Sequence, residues 1–378
     1  MRGTGYRLFE GAGIALTALI LTVVVVPGPA GACAFTSLVH RLAPDPDATG
    51  GPAPGKQSAG AEDEALALLA DTTDAAHRTP YQGVQVISRW GRSGARTVLV
   101  EVEHVAGRGT LMTVAGTPTE PGAQVYEEDN LATRTTGLRG MSDTVLRLLG
   151  RNYEVVSVGE GSVAGRRAGV VEARRRDGSV AARFWVDRDA GLLLRRQVFD
   201  ASERVVWASA FIDLRLTQPP FERHLPPAMP GPWQDRLNPR EIGVLRAEGW
   251  TIPDRLPDGL VLVEARKRAG HGGSVLHLGY SDGLSVVSLF VQRGRLDTDE
   301  FQAWNRAEFA GNVVYVRDSV QQRVVWAGPR YVYTLVADAP PDTVRAAVAA
   351  LPHAHKGGFW DRVMRGLDRI GSWLNPFG

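Results

Sequence analysis

The sequence predicts an α+β protein built on antiparallel sheets, and three observations carry that prediction. A succession of apolar, β-favouring segments is broken only by short polar turns, which is the pattern of a meander. A single short helical segment precedes the succession. A proline-dense stretch at 217–233 then separates it from a shorter set of helices and strands. One long, twisted antiparallel sheet with a helix at its start wraps around that helix or closes partly into a barrel. The expectation is a large half-barrel wrapped on a helix, followed by a smaller α+β domain.

At the N-terminus, "MRGTGYRLFE" places Arg2 and Arg7 ahead of the uncharged run 11–26, and the small residues "AGA" come next at 30–32. A positive start, an apolar middle and a small-residue exit form a secretory signal. The run would span about 24 Å as a helix against roughly 30 Å of hydrocarbon. Residues 1–32 are therefore a signal peptide or a membrane anchor, and the chain beyond residue 32 lies outside the cytoplasm. Cys33, the one cysteine of the chain, excludes an internal disulfide framework and a thiolate metal cluster. In position it resembles the lipidated cysteine of bacterial lipoproteins, but Ala30 stands where that motif has Leu. Lipidation and an unmodified Cys33 both fit. Residues 33–61 are rich in Pro, Gly and Ala, a flexible tether whose stretch 43–61 reaches about 25 Å.

From residue 62 the pattern is helical, with Leu66, Leu69 and Ala70 spaced three and four apart and acids in the first turn. The period then changes to two. Segments 81–91, 95–105, 153–161, 166–175, 181–189, 192–200 and 204–216 read as strands. The domain so defined covers 62–216, and a Pro-rich linker covers 217–235. Beyond it, 236–352 contain a helix at 239–249, an extended segment at 260–268, a hairpin at 277–291, strands near 312–317, 322–327 and 330–337, and a helix from Pro341. The tail 353–378 places Phe359, Trp360, Val363, Leu367, Ile370 and Trp373 on one helical stripe. Such a stripe lies on a membrane surface, docks on a partner or packs on its own domain.

Chemistry is sparse. A net charge of +2 gives no electrostatic case for nucleic acid, although all but three of the 43 basic residues (Lys56, Lys267 and Lys356) are Arg. HExxH, Walker, GxSxG and SxxK signatures are absent, which argues against an enzyme and against a cofactor. "GEGSVAG" at 159–165 joins two strands and reads as a hairpin loop. The histidines include no pair on one predicted face, and no metal site is expected.

"HLGYSDGLSVVSLFV" (277–291) holds a histidine, serines and an aspartate, as a hydrolase would. With Asp282-Gly283 as a type I′ turn, however, paired residues face one another as Leu278 with Val287 and His277 with Ser288. Asp282 then sits at the turn, too far along the strand to orient His277. The stretch reads as scaffold.

Several motifs together resemble the MucB/RseB family of sigma factor regulatory proteins. They are the Tyr-x-Gly of "YQGVQVI", "VAGRRAGVVEARRRDGSVAARFWVDRDAGLLLRRQVFDASERVV" and "VLHLGYSDGLSVVSLFVQRG", and the resemblance runs from about 64 to 351. It implies a LolA-like N-terminal half-barrel and a smaller C-terminal domain that engages the extracytoplasmic domain of a membrane-bound anti-sigma factor. It also implies a non-catalytic negative regulator in the cell envelope that senses envelope stress through lipid or lipoprotein. The alternative is a lipid or lipoprotein carrier. Trp90, Trp185, Trp207 and Phe211, with Phe184, are the aromatic residues available to line its groove. Phe184 and Trp185, being adjacent on a strand, must face opposite ways.

Overall fold

The computed structural model describes residues 59–91, 94–114, 124–128, 138, 141–219, 236–270, 273–318 and 321–354. The signal or anchor, Cys33, most of the tether, the linker after Pro219 and the tail stripe from Phe359 lie outside the described residues. Two antiparallel sheets hold about half of the described residues.

The first sheet has nine strands: β1 (Tyr81–Gly91), β2 (Gly94–Val105), β3 (Gly109–Val114), β4 (Gln124–Glu128), β5 (Glu154–Val163), β6 (Arg166–Arg174), β7 (Val180–Asp187), β8 (Leu193–Phe199) and β9 (Val205–Arg215). Their order is β4-β3-β2-β1-β9-β8-β7-β6-β5, so two meanders meet where β1 pairs with β9. Helix α1 (Ala59–Arg78) precedes β1, and α2 (Asp143–Asn152) precedes β5. The α+β expectation is met, with β3, β4 and α2 added to the elements read from the sequence.

Helix α1 packs through a stripe slightly different from the one expected. Ala65, Leu69, Thr72 and Ala76 are buried, whereas Ala70 is exposed. Leu69 is buried and Leu66 packs partly buried against the same cluster, so the two stripes differ in taking Ala65 in place of Ala70. The sheet settles it, because the larger core cluster takes Ala65 and Leu69 together with Val155, Val171, Phe184 and Leu194. Leu69→Ala removes a fully buried side chain and should cost about 2–5 kcal/mol in a urea titration.

The second sheet has seven strands in the order β10-β11-β12-β16-β15-β14-β13. They are β10 (Val261–Gly270), β11 (Gly273–Ser281), β12 (Val286–Arg293), β13 (Asn305–Phe309), β14 (Asn312–Asp318), β15 (Gln322–Ala327) and β16 (Tyr331–Asp338). Helix α3 (Pro239–Ala247) starts on a full capping box, in which Asn238 accepts from Glu241 N and Glu241 accepts from Asn238 N. Helix α4 (Pro341–Ala349) begins on Pro341, whose fixed φ suits the first turn. Leu276, Leu278, Tyr280, Leu289, Trp326 and Tyr333 fill the core with Leu245 of α3 and Val344 of α4. Trp326 stacks on Tyr333 and donates its indole N–H to Pro352 O at 3.0 Å.

The hairpin register differs from the expected one. Leu278 pairs with Leu289, His277 with Phe290 and Ser281 with Val286, so the loop is the four residues 282–285. The slip is of two residues, which leaves every side chain on its expected face because the side-chain period is also two. Two-residue turns with positive φ at both positions belong to other hairpins than the one expected, at 164–165 and at 310–311. Ala164 (φ 52°) and Gly165 (φ 75°) both have positive φ between Val163 and Arg166, as a type I′ turn requires. In the 282–285 loop only Gly283 does (φ 103°).

Candidate functional site at the junction of the two sheets

The reason for the longer loop is chemical. Asp282 Oδ1 accepts from Leu284 N at 2.8 Å and from Ser285 N at 2.5 Å, closing an Asx turn. Ser281 Oγ accepts from Gly283 N and donates to Ser285 O. These bonds shape the turn from within, and its outer surface is then free to meet the first sheet.

That meeting is made by part-buried hydrogen bonds, one close backbone approach and one apolar side chain. Tyr153 Oη donates to Asp282 Oδ2 at 2.8 Å, and Asn152 Nδ2 donates to Asp282 O at 2.7 Å. Gly283 lies so close to α2 that a Cβ there would overlap the backbone of Leu149. Leu284 is buried within the core cluster of the first sheet, not of its own. Arg196 of β8 donates to Leu284 O, and Arg89 of β1 donates to Gln322 Oε1 at 2.8 Å.

The electrostatics stem from burial. Burial pushes the Asp282 carboxyl above the usual range, while its N–H and phenol donors pull the other way. The Tyr153 phenol is raised by burial and by the neighbouring Asp282 charge. Asp338, at the end of β16, is pushed up to about 6 by burial, against the opposing pull of Arg196 and Arg89. Both oxygens of Asp282 are engaged in holding structure, so it is placed as a turn former and docking group.

His277 is buried, and its ring stacks on Phe290 at 4.7 Å with an interplanar angle of 14°. Burial lowers its pKa to about 4. The expected pairing with Ser288 is corrected, since Ser288 pairs with Gly279. His353, a histidine of the loop after α4, bonds Val348 O at 2.8 Å and stacks on Trp326. Among the described residues no group of three or more His, Cys, Asp or Glu could hold a metal.

The register divides the aromatic residues of the first sheet. Phe184 pairs with Arg196, Arg196 with Ser209 and Val198 with Trp207, so Phe184, Arg196, Trp207 and Phe211 share one face. On that face the Arg196 guanidinium lies 5.2 Å from the Trp207 ring centroid and 5.9 Å from that of Phe184. Phe211 meets Tyr81 edge-on at 5.8 Å. Trp185 and Trp90 belong to the opposite face. Trp185 lies under Arg195 at 4.5 Å, and Trp90 packs on the small cluster of Val86, Ala208 and Ala210. The face carrying Trp207 and Phe184 is the one the 282–285 turn covers through Arg196. Sequence alternation parts Phe184 from Trp185, but only the register and the fold assign the two sets and show what lies above them. Helix α2, which completes the junction, is absent from the elements expected from sequence, although Leu146 and Leu149 at helical spacing after Ser142-Asp143 are its signal.

Two antiparallel sheets with packed helices, joined by a buried polar junction, define a two-sheet α+β protein whose conspicuous polar groups connect elements. Residues 64–229 match the family model of the MucB/RseB N-terminal domain. This stretch of the chain, less than half of its length, is similar to the MucB/RseB N-terminal domain.

Solved structures that the chain matches include MucB (21% identity, 78% of this chain and 98% of that one, TM-score 0.48). Another is the MucA/MucB complex of Pseudomonas aeruginosa (19% identity, 77% and 99%, TM-score 0.45). A third is the LolA superfamily protein NE2245 of Nitrosomonas europaea (12% identity, 44% and 98%, TM-score 0.23). These TM-scores lie below 0.5, and the likenesses carry no functional argument. No curated protein matches the sequence.

Proposed function

We propose that this chain is an extracytoplasmic, non-catalytic negative regulator of sigma-factor signalling. In this reading it binds the extracytoplasmic domain of a membrane-bound anti-sigma factor and responds to envelope stress. The observation that carries the reading is the similarity of residues 64–229 to the MucB/RseB N-terminal domain. The use of the buried polar groups for docking and turn formation is in keeping with a binding role. No helix among the described residues is long and apolar enough to cross a membrane; in this reading attachment runs through residues 1–32, Cys33 or the tail stripe from Phe359.

The test is co-purification of the whole chain with the outer segment of a single-span protein that carries a cytoplasmic sigma-binding domain and is encoded beside it. A stable one-to-one complex is expected, with Kd on the order of micromolar or tighter. Absence of binding to every such neighbour overturns the proposal.

The lipid or lipoprotein carrier is the second reading, favoured by the shared face of Phe184, Trp207 and Phe211. It requires that face to be open, whereas Leu284 is packed into the same core cluster. Mass spectrometry of organic extracts from purified protein separates the two: stoichiometric lipid supports the carrier, lipid-free protein the regulator.

A further inference from the structure

The 281–285 turn joins the two sheets, yet it is built so that it can leave. Its internal bonds, Asp282 Oδ1 to two backbone N–H groups and Ser281 Oγ to the loop backbone, need nothing from the first sheet. Among the described residues the contacts across the junction include the apolar side chain of Leu284, the close approach of Gly283 to Leu149 and a set of polar groups: Asp282 with Tyr153 and Asn152, Leu284 O with Arg196, Gln322 with Arg89, and Asp338 facing Arg196 and Arg89. Each of these polar groups regains water when the sheets part. A buried charged group gains attraction from its partner but loses hydration, and the two nearly offset. Interfaces of this polar kind between units of one chain permit relative motion.

We propose that residues 281–285 form a withdrawable latch: seated, they cover the Trp207–Phe184 face beneath Arg196 and hold the two sheets as one body; withdrawn, they expose that face and let the sheets separate as intact folds. Gly283 is the pivot of the seated state. It combines a left-handed φ of 103° with an approach to α2 that only a hydrogen in place of Cβ permits. Leu284 is the bolt, and Arg196 is the catch, anchored across the rings of Trp207 and Phe184. The device stands on these contacts alone and does not depend on which partner the protein binds.

Hydrogen–deuterium exchange on the whole chain, read by mass spectrometry, tests the latch with two variants. Gly283→Val forces the turn off α2. The pair Tyr153→Phe with Asn152→Ala removes two junction bonds and leaves the turn itself untouched. In both, exchange in 143–152 and in 281–285 should rise, about tenfold or more for the valine variant and a few-fold for the pair. Protection in β7 and in β15–β16 should stay within about twofold of the parent chain. Unchanged exchange at 143–152 in both variants would show that the turn does not hold the junction. Loss of protection throughout both sheets in the milder variant would show that the turn is part of the fold and cannot withdraw. Either outcome overturns the proposal.

Discussion

Glu172→Ala is expected to destabilise the first sheet by about 3 kcal/mol, because it strands two half-buried guanidinium groups without their acceptor. Glu172 of β6 is buried, and each of its oxygens takes a two-pronged guanidinium. Oε2 accepts from Arg174 at 2.8 and 3.0 Å, and Oε1 from Arg183 at 2.6 and 2.9 Å. Arg183 also lies 5.9 Å from the ring centroids of Trp185 and Phe199, which hold it in place when the carboxylate goes. Two cations of like sign are then left side by side on adjacent strands. Chemical denaturation should show the loss as a lower midpoint at unchanged slope. Glu172→Gln, which keeps an acceptor but not the charge, should fall between the two. A change under about 1 kcal/mol for the alanine variant would mean that the pairs are solvated in the folded chain.

The second large effect is hidden in the parent protein. His277, neutral and buried, has its pKa lowered to about 4, below the ordinary 6.5. The stability tied to its neutral form is present above about 6.5 and is lost as pH falls from there through 4. Asp338 runs the other way. Its pKa is raised to about 6 from 3.8, so the folded chain holds the proton more tightly and gains stability as pH falls from about 6 towards 3.8.

Each shift of two or more pH units is worth up to about 3 kcal/mol, and the two windows overlap with opposite sign. The parent chain should therefore show little pH dependence from this pair between 6.5 and 4. Asp338→Asn should reveal a loss of stability across that range, and His277→Leu a gain. Denaturant midpoints at pH 7, 5.5 and 4 test both. The groups that face these two are Glu264 and Arg266 for His277, and Arg196 and Arg89 for Asp338. If the two variants slope in the same direction, the opposition is refuted.

Much of the fold is legible in the sequence because it rests on local pattern. Seven strands of the first sheet and the main hairpin of the second show a period of two between turn residues, and their partners are set by short connections. The elements that escape are short or weakly patterned. Helix α2 has only ten residues, with no side-chain bond from Ser142 at its start. Strands β3 and β13 have six and five residues, too few for alternation to stand out. The expected α1 stripe keeps Leu66 and Leu69 on the core side and misplaces Ala70, because Ala65 and Ala70 are both small apolar residues that only the packed sheet distinguishes.

The candidate site is legible in its parts and not in its assembly. Strand alternation alone turns Phe184 and Trp185 to opposite faces and puts Trp207 with Phe211, whereas only the register joins Phe184 to them. That Asp282 accepts from Tyr153, 129 residues earlier, has no trace in either local segment.

The 277–291 hairpin marks where the division falls. Composition and period alone specify the antiparallel α+β class, the face each strand buries and the reading of 277–291 as scaffold, because these depend on backbone alternation and local turn chemistry. The pairing of His277 with Phe290, the four-residue turn and the seating of Leu284 in the other sheet are decided by tertiary contacts. A slip of two residues preserves every local preference, so local forces cannot choose between the registers. Burial of Asp282 against Tyr153 and of Gly283 against Leu149 belongs to only one of them.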